Sequence, residues 1–267
     1  MNAPPPLPAH TAQGWSGFGP SGITGALWIF LACLATPLCA EPESLFQRGN
    51  EAYSIEDFPG AIDLYEQCLE AAASPAVHFN LANAYYKASD IGRAVLHFEK
   101  ALTLDPGNQE AKANLAYVRK ESDLTAPQYG PATRLGLRAN FNFWCWNAVG
   151  GFWLGLAMVA LPPLFGGGNL ATRLVAILSL GAVLAAGIAL YGYHIKSAEA
   201  VILDQDTALR VAPSEQSNEY GTLPAGELVR VAKTHQDYVF LNTASEKSGW
   251  VRIANLRRIW AWEIPGK

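Results

Sequence analysis

Hydrophobic positions change their spacing twice along this chain. From Glu43 to about Ser122, apolar and small residues recur at helical spacing and repeat themselves. From Phe143 to Tyr193 nearly every position is apolar, and beyond Ala198 the apolar residues fall into short runs of strand length. The central stretch divides at Gly166-Gly167-Gly168-Asn169 into two halves, each near the roughly 20 residues that cross a hydrocarbon core. Arg173 is the only charged residue between Ala171 and Tyr193. A soluble helix of this length shows a polar stripe, and these two are apolar all round. Trp144, Trp146 and Trp153 gather toward one end of the first half, as an interfacial aromatic belt would. The pattern predicts a two-helix transmembrane hairpin over 141–194, in contact with lipid bilayer, rather than two core helices of a soluble protein. A hairpin leaves the chain before it and after it on one side of the membrane. The glycines lack the Lys-Ser/Thr pair of a phosphate-binding loop and are read as a turn.

In the helical region, Phe58-x-x-Ala61-Ile62-x-x-Tyr65-x-x-Cys68-Leu69 returns 33 residues later as Ile91-x-x-Ala94-Val95-x-x-Phe98-x-x-Ala101-Leu102, and Gly49 aligns with Ala82. Small Gly49, Ala61, Ala82, Ala94 and Ala101 permit close helix approach, Tyr65, Tyr85 and Phe98 fill the groove between units, and Asp105-Pro106 turns the chain. These residues resemble the tetratricopeptide repeat, a helix–turn–helix of about 34 residues. The units fall at about 42–74 and 75–108, with a capping helix over 109–122 that turns Ala111, Leu115 and Val118 to one side. The first unit is one residue short and has Ala73-Ser74-Pro75 where the terminal proline is expected.

The resemblance implies a concave, partner-binding face lined by each unit's first helix: Phe46, Asn50 and Tyr53, then Asn80, Asn83, Tyr86 and Lys87, then Asn114. Asn50 and Asn80 match the two asparagines that hold a terminal carboxylate in chaperone-binding repeats. The basic residues that complete such a clamp are absent, their places taken by Phe46, Glu110 and Asn114. General peptide docking is therefore favoured over a carboxylate clamp, and asparagines serving only the backbone remain the alternative.

Residues 123–140 have linker composition, with Pro127, Gly130, Pro131 and Gly136. After Tyr193, short strands are expected at Ala198–Ile202, Leu228–Ala232, Tyr238–Leu241 and Gly249–Val251. Ala208-Leu209-Arg210, Gly221-Thr222-Leu223-Pro224-Ala225-Gly226, Gly249-Trp250-Val251 and Leu256 resemble the bacterial SH3-like domain, over about 198–262. That resemblance implies an all-β SH3-like barrel, with Tyr220, Tyr238 and Trp250 as groove candidates or, alternatively, as core. At the other end, Ile23 to Ala40 has the length of a signal peptide's apolar region. It lacks a basic n-region and has leucine three residues before the cut, so a cleaved signal and an uncleaved anchor both fit. Residues 1–22 are low-complexity and read as disordered.

The totals exclude several classes. A net charge of −4 without a basic stripe argues against nucleic acid as a partner. The four cysteines form no Cys-x-x-Cys, and the five histidines form no pair at ligand spacing, so no metal, cofactor or disulfide framework is expected. No Walker loop, His-Glu-x-x-His or Gly-x-Ser-x-Gly points to an enzyme.

Repeats, hairpin and SH3-like domain in this order resemble the BatE-like family, tetratricopeptide-repeat membrane proteins of the bacterial Bat aerotolerance operon. The resemblance covers about 43–262. It implies a multi-domain, non-catalytic scaffold in the bacterial inner membrane, acting with von Willebrand A-type membrane proteins, other Bat components and a MoxR-type ATPase. SH3-like domains of this kind and the apolar N-terminal segment favour the periplasm for both soluble parts. Arg134, Arg138 and Lys196 outside the hairpin, against Arg173 in its turn, favour the cytoplasm. The periplasm is preferred. An envelope sensor whose SH3-like domain reads a cell-wall or peptide ligand is the second functional class.

Overall fold

The computed structural model describes residues 40–71, 73–162 and 167–260. The apolar segment Ile23–Ala40, apart from its last residue, and residues 1–22 lie outside the described residues.

Five helices come first: α1 (Ala40–Ser54), α2 (Phe58–Ala71), α3 (Pro75–Lys87), α4 (Ile91–Leu104) and α5 (Gln109–Glu121). Polar residues start three of them. Asp57, Asp90 and Asn108 accept the backbone N–H of Gly60, Arg93 and Ala111 at 3.0, 3.0 and 2.9 Å, satisfying donors that a helix start leaves open. The small positions act through close approach. A Cβ on Gly49 would stand 2.5 Å from the Tyr65 ring, and Ala61, Ala82, Ala94 and Ala101 are fully buried. Tyr65 and Phe98 occupy the space this leaves, each 1 % exposed. Helix α5 buries Ala111, Leu115 and Val118 against the same stack.

The linker-like segment contains a short helix, α6 (Pro131–Gly136), which packs on the base of the second long helix. A Cβ on Gly192 would lie 2.3 Å from the Ala132 carbonyl oxygen, so the two backbones nearly touch. Trp144 donates its indole N–H to the Gly136 carbonyl at 2.9 Å, and the Tyr193 hydroxyl donates to the Ala139 carbonyl at 2.6 Å. The segment is therefore a bracket fixed to the hairpin, which its Pro/Gly composition concealed.

Helices α7 (Phe141–Ala160) and α8 (Leu170–Lys196) are long and apolar enough to cross a membrane. Asn140 and Asn169 cap their starts. They meet along a stripe of small residues: a Cβ on Gly155 would stand 2.7 Å from Ser179 Oγ, and one on Gly151 3.1 Å from Val183. Such a small-x-x-x-small stripe lets helices pack in lipid. Their outer surface is apolar and uncovered, with Trp146, Val159, Leu170 and Leu178 all more than half exposed.

The C-terminal region is all β: β1 (Glu199–Ile202), β2 (Thr207–Arg210), β3 (Glu219–Leu223), β4 (Leu228–His235), β5 (Tyr238–Thr243), β6 (Ser248–Arg252) and β7 (Leu256–Arg258). They make one antiparallel sheet of order β3-β2-β6-β5-β4-β1-β7. The expected barrel does not close. No backbone pairing joins β3 to β7 among the described residues. Inward residues from every strand, Leu223 on one edge and Leu256 on the other included, still meet in one cluster. The sheet is curled but open.

Repeat and sheet share a core. Val95, Leu96 and Phe98 of α4 and Leu115 and Val118 of α5 cluster with Val201, Leu203, Leu228 and Ile259. Two glycines permit the contact. A Cβ on Gly92 would lie 2.2 Å from the Leu203 carbonyl oxygen. Gly226, at φ +86°, turns the chain after β3 where a Cβ would stand 2.8 Å from Leu124.

Candidate partner-binding face

The first helices of the repeat units, α1, α3 and α5, present a run of asparagines. Asn80 donates its amide N–H to Asn50 Oδ1 at 2.8 Å, and Asn114 donates to Asn83 Oδ1 at 2.9 Å. The Tyr65 hydroxyl also donates to Asn50 Oδ1, at 2.7 Å. Asn50, Tyr53, Tyr65, Asn80 and Asn83 line one small pocket of about 110 Å³. The asparagines thus bond one another across helices rather than their own backbone. Each amide has both donors and an acceptor. The ladder saturates Asn50 Oδ1 but leaves Nδ2 of Asn50 and Asn83 and Oδ1 of Asn80 without a hydrogen-bond partner among the described residues. An uncharged surface offering N–H and C=O together suits the main chain of an extended peptide.

The other face residues flank this pocket. Phe46 packs on Tyr65 at 5.9 Å between ring centroids, and Tyr53 meets Phe58 edge-on at 5.5 Å. Tyr86 donates to Glu121 and meets exposed Tyr117 edge-on at 6.1 Å. Lys87 is exposed in the last turn of α3. Asn50, Tyr53, Asn80 and Asn83 are brought together, and Asn114 joins through Asn83. Tyr86 and Lys87 stand farther along the same helix.

The β-region candidates separate. Tyr238 is buried, with its hydroxyl unpaired among the described residues. Trp250 packs on Phe240 at 5.4 Å and His235 at 6.3 Å. Tyr220 is exposed, and its hydroxyl lies over Gly249. Tyr238 pairs with His235, which packs on Trp250, whereas Tyr220 reaches only as far as Gly249.

A buried charge cluster, absent from the sequence reading, joins all three parts. Glu99 of α4 accepts from Arg119 of α5 at 2.7 Å and from Lys196, the last residue of α8, at 3.1 Å. Glu99 and Lys196 are each 3 % exposed. Burial would raise the Glu99 carboxyl, but Lys196 and Arg119 overcome it and hold the group down at about 2. Tyr129 lies beneath the Lys196 ammonium, 5.5 Å from ring centroid to nitrogen, and donates to Glu199 of β1 at 3.2 Å. Burial, reinforced by the Glu99 charge, raises the Glu199 carboxyl to about 7. Only an acid within a helix face otherwise facing the core hinted at this in the sequence.

A second buried pair lies inside the repeat, where His78 and His97 face each other with Nδ1 atoms 3.0 Å apart. Burial lowers His78 to about 4 and takes His97 well below its ordinary value, with Lys100 adding to both. The pair is neutral, one ring donating and the other accepting. No group of three metal-ligating side chains occurs among the described residues.

Part of this face lies in a segment that matches a known family. Residues 75–108, which are α3, α4 and their turns, match the family model of the tetratricopeptide repeat. The chain therefore contains a tetratricopeptide repeat, a module typical of protein–protein interaction. A search of curated proteins found no match to the chain.

Proposed function

We propose that this protein is a non-catalytic, membrane-anchored adaptor that holds an extended segment of a protein partner on the asparagine-lined face of its repeats. The observation that carries the reading is the Asn50–Asn80 and Asn83–Asn114 ladder, which fixes several amides in one row while leaving donors and acceptors open. Uncharged amides suit a peptide main chain better than a terminal carboxylate. Helices α7 and α8 supply the anchor, since their uncovered apolar surface is costly in water and favourable in lipid. In this reading the anchor lies in the bacterial inner membrane, with repeats and sheet on its periplasmic side. The partners are von Willebrand A-type membrane proteins of a Bat-type aerotolerance complex. The envelope-sensor reading is weaker, because Tyr238 is buried and so does not line an exposed groove with Tyr220.

Full-length protein carrying a photo-crosslinking residue at Asn83 is the test, with Lys233 on the sheet as control. Adducts with a von Willebrand A-type protein at Asn83 and not at Lys233, lost with Asn50→Ala, are expected. Adducts only at Lys233 would overturn the assignment of the face. An impermeant thiol reagent on intact cells, with single cysteines at Gln128 and Ser245, is expected to label both. Labelling of neither places both parts in the cytoplasm.

A further inference from the structure

A cavity of about 450 Å³ opens where the repeat meets the base of the hairpin. That size falls within the range of small-molecule sites. Its walls are mainly apolar: Leu102, Leu115, Ala116, Leu124, Ala126 and Leu137. Its charged lining is Lys112, Arg119, Lys120 and Lys196 against a single acid, Glu99. Glu99 is already shared by Arg119 and Lys196, and it fixes both cations at the cavity wall. An ammonium has three donors, and Lys196 uses one on Glu99 among the described residues. Lys112 and Lys120 are exposed at the cavity's side on α5. The position matters as much as the lining. Lys196 is the last residue of α8, and Leu137 lies four residues before α7 begins, so the cavity stands beside the end of the two apolar helices.

We infer that this cavity is a binding site for an anionic lipid of the surrounding bilayer, its acyl portion against the leucines and its acidic headgroup against Lys112, Lys120 and Lys196. The inference rests on the reading of α7 and α8 as the membrane anchor. Charge complementarity decides the headgroup, since the wall carries four cations and one acid. Apolar walls within one helix turn of those cations select an amphiphile over a free inorganic anion. Bound lipid there would touch repeat, bracket and hairpin at once.

The full chain in phosphatidylcholine nanodiscs, doped with a trace of photoreactive phosphatidylglycerol or photoreactive phosphatidylcholine, tests this. The expected result is that both probes label α7 and α8, while only the phosphatidylglycerol probe labels residues 102–126. Lys112→Gln and Lys120→Gln should each lower that labelling about fivefold, the worth of one cation near an anionic headgroup. Ala116→Trp, which fills the cavity from an exposed position, should abolish it without changing α7 and α8 labelling. Equal labelling of 102–126 by both probes, or labelling that survives Ala116→Trp, overturns the site. If neither probe labels α7 and α8, the membrane reading itself fails and the lipid site falls with it.

Discussion

Glu99 shows how one side chain can tie separate elements together. It is buried, and its carboxylate accepts from both Arg119 and Lys196. Removing one partner of a buried ion pair leaves the others uncompensated, at a cost of about 3–5 kcal/mol. Glu99→Gln should therefore lower the thermal midpoint of the full chain far more than loss of the exposed Arg252–Glu215 pair through Glu215→Gln. A scan of both variants in the same detergent checks this. Gly92 acts by having no side chain. A Cβ there meets the Leu203 carbonyl rather than a flexible group, so Gly92→Ala should cost about 1–3 kcal/mol, the usual range for overpacking.

Among the elements, α3 and α4 carry a built-in pH dependence. Burial lowers the folded His78 imidazole to about 4, below its ordinary 6.5, so the unfolded chain binds the proton more readily. The stabilisation is complete above about 6.5 and is lost as pH falls toward 4. Glu199 works in the opposite sense. Its folded carboxyl sits at about 7 against an ordinary 4.5, so its contribution is complete below 4.5 and is lost as pH rises through 7. Hydrogen exchange should show α3 and α4 losing protection on acidification from pH 7 to 5, while β1 gains it. Exchange in α3 and α4 that is flat across this window would contradict the buried histidine pair.

At the scale of the molecule, repeat and sheet are not beads on a membrane string. Val95, Phe98 and Val118 pack in one cluster with Val201, Leu203 and Leu228. A cut through that cluster should loosen both partners. Leu203→Asp, placed in the shared core, should raise exchange in α4 and in β1 together. Leu241→Asp, in the sheet's own cluster, should raise it in the strands first.

Local pattern alone determined the repeats, the two apolar helices and the strand-rich end of this protein. Each depends on periodicity within about 30 residues: small residues at Gly49, Ala61, Ala82 and Ala94 for helix approach, unbroken apolarity for α7 and α8, short alternating runs for the sheet. The row of asparagines on α1, α3 and α5 was legible for the same reason, since a repeat places its first-helix positions by spacing. What the asparagines bond to was not legible, because Asn50 and Asn80 lie 30 residues apart. Tyr238 and Trp250 alternate with the core residues Val239, Leu241 and Val251, and only the tertiary structure decided that Tyr238 is buried and Trp250 partly exposed. Residues 123–140 read as linker because proline and glycine mark breaks. Tertiary contact with Gly192 made part of them a bracket. The Glu99–Lys196 pair spans 97 residues. Nothing local distinguishes such a lysine from one facing water; only packing repeat, hairpin and sheet together buries both charges and opens the cavity beside them.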